Sequence, residues 1–119
     1  MSREKDAAPS RSFAEELADE LPCMIAYYSR DFRCGFCNKP YLDWFECDVT
    51  AEDAVGLHAR ELIGEELFSK SEPFLKKALS GEWVHFERSR KSSVGEEQYL
   101  LVSYKPDIGT SGDVIGVYI

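Results

Sequence analysis

Two cysteines near the start of the chain have the spacing of a reactive or metal-binding pair. Cys34 and Cys37 form a C-x-x-C motif, which exchanges disulfides when it starts a helix and holds zinc when a second pair completes it. Here both thiols precede Asn38, a residue suited to cap the next helix, and no second pair lies at zinc spacing. On a strand, an odd offset places two side chains on opposite faces. The spacing therefore predicts two ordinary thiols on opposite sides of a sheet, without redox or zinc chemistry.

The other side chains with acid–base or ligand chemistry are two histidines and an acidic cluster. His58 lies in a polar stretch, which favours a surface or helix-capping role, and His85 shares a strand face with Trp83. The acidic cluster comprises Asp43, Glu46, Asp48, Glu52 and Asp53. A catalytic acid–base pair needs a cleft that separates two pKa values, and these carboxylates lie on short polar segments. We interpret them as a solvated face and predict no catalytic or metal site.

Composition and charge narrow the class of protein. The chain has 119 residues, of which 44% are hydrophobic and 13% aromatic, as is typical of one globular domain. Its net charge of −8 would repel nucleic-acid phosphates and anionic membrane surfaces. No apolar run reaches the length of about 20 residues that spans a bilayer, and the N-terminus lacks an apolar signal segment. The sequence predicts a cytoplasmic domain with reduced cysteines, without nucleic-acid binding or membrane insertion.

An amphipathic helix is predicted near the N-terminus. Residues 12–15 read Ser-Phe-Ala-Glu, the form of a capping box that starts a helix. Its apolar positions recur at every fourth residue: Phe13, Leu17, Leu21. Pro22 ends the pattern, so the helix is predicted over residues 12–21. Residues 1–11 are polar and are predicted to be flexible.

Five segments have the length and pattern of β-strands. The predicted strands are residues 23–29, 32–37, 82–90, 97–105 and 113–119. Between the second and third of them, Asn38 is a good N-cap for a helix in which Pro40 fits the first turn. A further helix is predicted from about Pro73 to the glycine stop at Gly81. Strands segregated from helices in this way indicate an α+β fold with an antiparallel sheet.

In this order the motifs resemble the PAS domain family. The family's first hairpin, which closes on an Asn, is matched by LPCMIAYYSRDFRCGFCN, where Asn38 takes that position. The aromatic first helix of a PAS subgroup is matched by YLDWF, and the segment that follows it by AVGLHARELIGEELF. The entry to the third strand is matched by ALSGEWVHFE, and the family's ending by YKPDIGTSGDVIGVYI. We predict a single PAS domain over residues 12–119, of which residues 12–21 form the N-terminal cap helix.

The resemblance implies a five-stranded antiparallel sheet with short helices on one face and a small-molecule pocket between them. The amphipathic helix and a dimer contact are expected on the other face. The residue before the closing Asn looks into the pocket, so Cys34 and Phe36 are expected to face outward. The predicted pocket residues are Ala26, Tyr28, Cys37, Trp44, Phe86, Leu101 and Tyr118. On the third strand, Arg88 and Arg90 share one face; one could meet an anionic ligand, but solvated strand charges are the default interpretation.

The function that the resemblance implies is sensing, without catalysis. A small ligand would act through a homodimer, formed by the N-terminal helix and the outer sheet face, on the output domain of a bacterial histidine kinase, diguanylate cyclase or transcription regulator. Family members usually continue into a coupling helix, whereas this chain stops at Ile119, so we expect an excised sensor module. Haem-binding members carry a His on the helix before the third strand, and flavin-binding members carry an Asn-Cys-Arg-Phe-Leu-Gln run. Neither feature occurs here, which argues against both cofactors. Two alternatives stay open: a ligand-free dimerisation scaffold, and a haem or flavin redox sensor.

Overall fold

The computed structural model describes residues 13–91 and 94–119 as a sheet of five strands with helices packed on one face. The helices are α1 (Phe13–Glu20), α2 (Lys39–Trp44), α3 (Ala51–Ala54), α4 (Ala59–Ile63) and α5 (Glu65–Leu79). The strands are β1 (Ala26–Ser29), β2 (Cys34–Cys37), β3 (Val84–Lys91), β4 (Glu97–Ile108) and β5 (Val114–Tyr118). All neighbouring strands run antiparallel, in the order β2-β1-β5-β4-β3. The predicted α+β fold is confirmed. Residues 1–11, predicted to be flexible, and Ser12, predicted to start the first helix, lie outside the described residues.

The core lies between the inner face of the sheet and the helices that follow β2. Tyr28 of β1 pairs with Val117 of β5, and both side chains are buried. Helix α5 covers them with Phe68 and Leu75, which are also buried. Removal of this apolar surface from water is the main force that holds the helices against the sheet.

Asn38 fixes the junction between the first hairpin and α2. Its Oδ1 accepts from the backbone N–H of Tyr41, at 3.1 Å, and from that of Ile25, at 2.9 Å. Its Nδ2 donates to the carbonyls of Ala18 and Cys23, both at 2.7 Å. The side chain is completely buried, so these four bonds satisfy a polar group that would otherwise be costly. The predicted N-cap is confirmed, and the same amide ties α1 to the domain.

The predicted opposite orientation of the two C-x-x-C thiols is wrong, because β2 contains a bulge. Cys37 pairs with Ala26, but Cys34 pairs with Tyr28, so one residue of β2 is extra. That residue is Gly35, where a Cβ atom would lie 3.0 Å from the ring of Tyr27. A bulge changes the alternation of side chains by one position. Both thiols therefore lie on the inner face, and both are buried.

Two prolines that were expected to bound elements lie inside them. Helix α5 begins after Gly64 and continues through Pro73, because its buried face outweighs the cost of about 3 kcal/mol for an interior proline. Strand β4 continues through Pro106 along β5. Since β3 begins at Val84, opposite Tyr104, Pro106 has no partner on β3 whose hydrogen bond it would remove.

Helix α1 lies beside α2 and leaves the outer face of the sheet open. The carboxylate of Asp19 accepts from the backbone N–H of Lys39 at 2.8 Å, which adds to the Asn38 link. The apolar stripe of α1 is exposed, including Phe13 at 78% and Leu17 at 46%. The expectation that α1 covers the outer face is therefore wrong. Among the described helices, none combines the length and apolar character needed to cross a bilayer.

Candidate functional site

A partly open cavity of about 300 Å³ lies between the inner face of the sheet and helices α2, α4 and α5. This volume is at the lower end of the range for small-molecule pockets. Most of the wall is apolar. The apolar lining residues include Met24, Phe45, Ile63, Leu75, Val102 and Ile119. The cavity therefore suits a compact molecule with an apolar body.

Three tyrosine hydroxyls give the cavity a polar side. The hydroxyls of Tyr28 and Tyr41 lie 2.7 Å apart, and Tyr104 lines the same cavity from β4. In a hydroxyl pair one group donates to the other, so the accepting hydroxyl keeps its own hydrogen for another partner. Burial raises the pKa of all three side chains above the ordinary tyrosine value. The hydroxyls are therefore neutral at neutral pH, and they can donate as well as accept hydrogen bonds.

Arg88 brings one positive charge to the cavity wall. Along β3 the partly buried positions alternate, which turns Arg88 to the inner face and contradicts its interpretation as a solvated charge. Its Nη2 donates to Oγ of Ser71 at 2.5 Å, and Ser71 is completely buried on α5. The guanidinium and this hydroxyl both reach Tyr104, and they partly offset the rise that burial causes in the pKa of Tyr104. The arginine head is thus fixed by neutral groups.

Five of the predicted pocket residues lie on the inner side of the domain, but only one of them lines the cavity with its side chain. Tyr28 does so directly. Ala26 and Cys37 are buried in the core beside it. Phe86 stacks on a phenylalanine of α5 at 4.2 Å between ring centroids. The ring centroid of Trp44 lies 3.8 Å from the guanidinium carbon of Arg90, and Trp44 does not line the cavity.

The inward orientation predicted for Leu101 and Tyr118 is wrong. Tyr118 pairs with Tyr27 on the outer face and is 48% exposed, whereas its neighbour Val117 takes the inner position. Leu101 pairs with Glu87, an exposed position, and its side chain is 85% exposed although the residue borders the cavity. Residues that pair directly across two strands share a face, so the pairing decides both orientations.

On the outer face of the sheet, Tyr118 belongs to a cluster with Tyr27 and Asp107. The hydroxyl of Tyr27 donates to Oδ2 of Asp107 at 2.6 Å, and its ring meets that of Tyr118 edge to face at 5.1 Å between centroids. A Cβ atom on Gly116 would overlap the Tyr27 hydroxyl, so the glycine makes room for the ring. Burial, followed by the hydrogen bond to Asp107, raises the pKa of Tyr27 to about 12.

The remaining candidate ligating groups do not converge on the cavity. His58 caps α4 in a capping box with Glu61, as predicted, and His85 lies on the outer face with its Nδ1 2.9 Å from Oγ of Ser103. The thiols of Cys34 and Cys37 hydrogen-bond to each other, which lowers the pKa of Cys34. Within residues 13–91 and 94–119, no three His, Cys, Asp or Glu side chains are arranged to hold a metal ion.

Sequence reasoning missed most of the residues that form the cavity. From the sequence, Tyr41 could line a pocket or fill the core, and a solvated charge is the default interpretation of Arg88. Tyr104 was not considered. The alternation of β3 and β4 was the available signal, because Val84 pairs with Tyr104 and both are buried. Once Val84 is placed inward, Arg88 follows at an even offset on the same strand.

Comparison with known proteins assigns this arrangement to a family. A family model described as PAS fold matches residues 18–119, which include all five strands and helices α2 to α5. The chain therefore belongs to the PAS family, whose domains are generally sensory rather than catalytic. No curated protein matches the chain.

Solved structures show the same fold. The PAS domain of Bordetella pertussis BvgS is 24% identical, with a TM-score of 0.63, over 89% of this chain and 79% of that chain. VqmA bound to DPO is 15% identical, with a TM-score of 0.71, over 87% of this chain and 52% of that chain. An RNA-binding light-oxygen-voltage receptor is 14% identical, with a TM-score of 0.59, over 100% of this chain and 36% of that chain. The chain thus spans about half of VqmA and about a third of the light-oxygen-voltage receptor. Similarity at these identities establishes the fold alone.

Proposed function

We propose that this PAS domain is the sensory part of a bacterial signalling protein and that it binds a compact small molecule in the cavity. The supporting observation is a space of about 300 Å³ lined by apolar side chains, buried hydroxyls and one guanidinium. Domain cores are normally close-packed, with few voids larger than a water molecule. A cavity of this size with polar groups on its wall favours a ligand site over a packing defect.

The proposed signal passes from the cavity to the sheet. A ligand that contacts Tyr28 and Tyr104 touches β1 and β4, the two strands that flank β5. A difference in affinity between two packings of β5 would shift their populations, and a homodimer contact would carry that shift to an output domain. The output domain would be a histidine kinase, a diguanylate cyclase or a transcription regulator, in the cytoplasm. VqmA, which has a similar fold, is known with DPO and in a complex with DNA. The net charge of −8 argues that this domain does not itself contact nucleic acid.

The donor groups of the cavity favour a metabolite over a haem. Neither His58 nor His85 lines the cavity, so no described histidine is placed as an axial ligand. The buried hydroxyls of Tyr28 and Tyr41 already pair with each other, which suits a compact ligand with one polar group that accepts the remaining hydroxyl hydrogen.

The test is native mass spectrometry with an absorption spectrum of the protein as purified. We expect a colourless protein that carries a small extra mass. In the variant Val102→Trp, an indole would fill the cavity, and the extra mass should be lost. The matched control is Ile115→Trp, at an exposed position on β5 that does not line the cavity, and this variant should keep the extra mass. An absorption band beyond that of the protein, with a matching added mass, would instead identify a haem or flavin sensor. A bare mass in all three proteins would count against a ligand.

A ligand-free dimerisation scaffold is the second candidate, and the exposed stripe of α1 favours it. Phe13 and Leu17 point away from the domain, whereas Ala18 is buried against Asn38. The double variant Phe13→Ser/Leu17→Ser removes the stripe and keeps the Asn38 link. Light scattering after size exclusion should show loss of the dimer, while the polar-face control Glu16→Ser should keep it. A dimer that survives the double variant would exclude α1 as the contact.

A further inference from the structure

We propose that the cavity selects a ligand with one carboxylate on a compact apolar body, and that Arg88 binds this carboxylate. The inference rests on the proposed function, because it names the chemistry of the molecule that the same cavity would bind.

The Arg88 guanidinium is surrounded by neutral groups. Its contacts are the hydroxyls of Ser71 and Tyr104 and the ring of Phe86, whose centroid lies 5.4 Å from the guanidinium carbon. None of the ion pairs among the described residues includes Arg88. A guanidinium carries more N–H donors than these neutral contacts use. A partly buried cation of this kind is stabilised most by an anion in the adjacent cavity.

Arg90, which lies two residues further along the same face of β3, differs from Arg88 in its contacts. Its Nε donates to Oε1 of Gln98 at 2.9 Å, and its Nη1 donates to the carbonyl of Trp44 at 2.5 Å. Its guanidinium carbon lies 3.8 Å from the Trp44 ring centroid. Arg90 does not line the cavity, whereas Arg88 does. Arg90 thus packs on a tryptophan and links β3 to β4, whereas Arg88 faces the cavity.

Arg88 is held in place before a ligand arrives. Ser71 is completely buried on α5 and fixes Nη2 of Arg88. A carboxylate meets a guanidinium most strongly when two parallel N–H groups face its two oxygens, and a fixed head loses little side-chain freedom on binding. The hydroxyl pair of Tyr28 and Tyr41 keeps one hydrogen that can be donated to a carboxylate oxygen or to a bridging water.

The rest of the wall defines the remainder of the ligand. Leu75, Ile63 and Val102 present apolar surface to the cavity, and Arg88 is the only charged lining residue among those that the structure describes. A second carboxylate on the ligand would therefore have no cation to meet. The net charge of −8 repels anions at long range, but salt screens this repulsion beyond about 8 Å at physiological ionic strength. At contact distance, Arg88 dominates the field that an entering carboxylate meets.

The experiment compares benzoate with benzamide, which has the same shape and no charge, by isothermal titration calorimetry. In the wild-type protein, benzoate should bind about tenfold or more tightly than benzamide, as expected of a charge-assisted pair. Arg88→Met should remove this preference, because methionine keeps an apolar stem and carries no charge. Arg88→Lys should keep part of the preference, since the charge is retained. Arg90→Met is the matched control and should keep the full preference.

The outcomes separate this inference from the proposed function. Equal affinities for benzoate and benzamide in the wild-type protein would overturn the carboxylate assignment, while the cavity would still stand as a ligand site. A preference for benzoate that persists in Arg88→Met would overturn the role of Arg88. Binding of neither compound to the wild-type protein would contradict both the inference and the proposed function. The ratio of the two affinities is measured within each variant. A change in the stability of the variant therefore does not imitate a loss of the preference for benzoate.

Discussion

The hydroxyl groups of Tyr28 and Tyr41 lie 2.7 Å apart inside the domain and connect β1 to α2 across the cavity wall. Their rings meet edge to face, with centroids 6.5 Å apart. Both side chains are buried, so each hydroxyl depends on the other for its hydrogen bond. The pair thus belongs both to the stability of the fold and to the candidate ligand site.

Removal of one hydroxyl of the pair should lower the free energy of unfolding by more than half of the loss caused by removing both. Tyr28→Phe leaves the Tyr41 hydroxyl buried without its partner, and we expect a loss of about 1–3 kcal/mol in the free energy of unfolding. The double variant Tyr28→Phe/Tyr41→Phe should lose clearly less than the sum of the two single variants, because no hydroxyl is then stranded. Urea unfolding of the four proteins measures this coupling. Strictly additive losses would show that the two hydroxyls do not interact.

Asn38 should be among the most sensitive positions in the chain. Asn38→Ala removes four hydrogen bonds of a completely buried amide and strands the carbonyls of Ala18 and Cys23. We expect a loss of about 3 kcal/mol or more in the free energy of unfolding. The control Thr50→Ala removes the exposed N-cap of α3 and should cost about 1 kcal/mol. Equal losses in thermal or urea unfolding would contradict the central role of Asn38.

Hydrogen exchange should show that Asn38→Ala also releases α1. The amide of Asn38 is the main polar link from α1 to the first hairpin, through the carbonyl of Ala18. Exchange in residues 13–20 should therefore accelerate in Asn38→Ala well before global unfolding. In Thr50→Ala this segment should exchange at the wild-type rate. Unchanged protection of α1 in Asn38→Ala would mean that its apolar contacts suffice to hold it.

Stability should fall in alkali as Tyr27 ionises. Its pKa is raised to about 12 from the ordinary value of 10.0, chiefly by burial and then by the hydrogen bond to Asp107. A raised folded-state pKa stabilises the fold below the unfolded value, and the contribution is lost as pH rises from 10.0 to about 12. The free energy of unfolding, measured by urea denaturation at pH values across this window, should therefore fall less steeply with pH for Tyr27→Phe than for the wild-type protein. Asp107→Asn should move the phenolate titration of Tyr27 toward its ordinary pKa; an unmoved titration would exclude the carboxylate as a cause.

Thiol labelling should follow burial rather than thiolate character. Cys34 has a lowered pKa, because Cys37 hydrogen-bonds to it, but both thiols are buried on the inner face. Cys23 is exposed. Iodoacetamide should therefore label Cys23 first in the native protein and reach Cys34 and Cys37 only as the domain opens. Peptide mass spectrometry on the wild-type protein and on Cys23→Ser measures the order. Fast native labelling of Cys34 would contradict its burial.

The fold could be predicted because its signals are local and occur in sequence order. Asn38 follows the first hairpin and has the side chain of an N-cap, and the last three strands are separated by turn residues. The helix and strand boundaries were less accurate at Pro73 and Pro106, where tertiary packing outweighs the local preference of proline. A local pattern cannot show such packing.

The candidate site was harder to predict, because it depends on the face to which each strand residue points. One extra residue at Gly35 turned Cys34 inward, and an error of one position exchanged Tyr118 with Val117. A shift of one residue moves every side chain of a strand to the other face. Only the pairing across strands determines the face to which each side chain points. The pairing of Val84 with Tyr104 is what places Arg88 in the cavity wall.

The most direct test of a ligand site under the sheet is a methyl NMR titration of the protein with benzoate and then with benzamide. We expect the methyl signals of Ile63, Leu75 and Val102, which line the cavity, to shift with saturation. The methyl signals of Ile115 and Ile108, which lie exposed outside it, should stay in place. Shifts confined to these exposed methyl groups, or no shifts with either compound, would contradict the claim that the cavity binds a compact molecule.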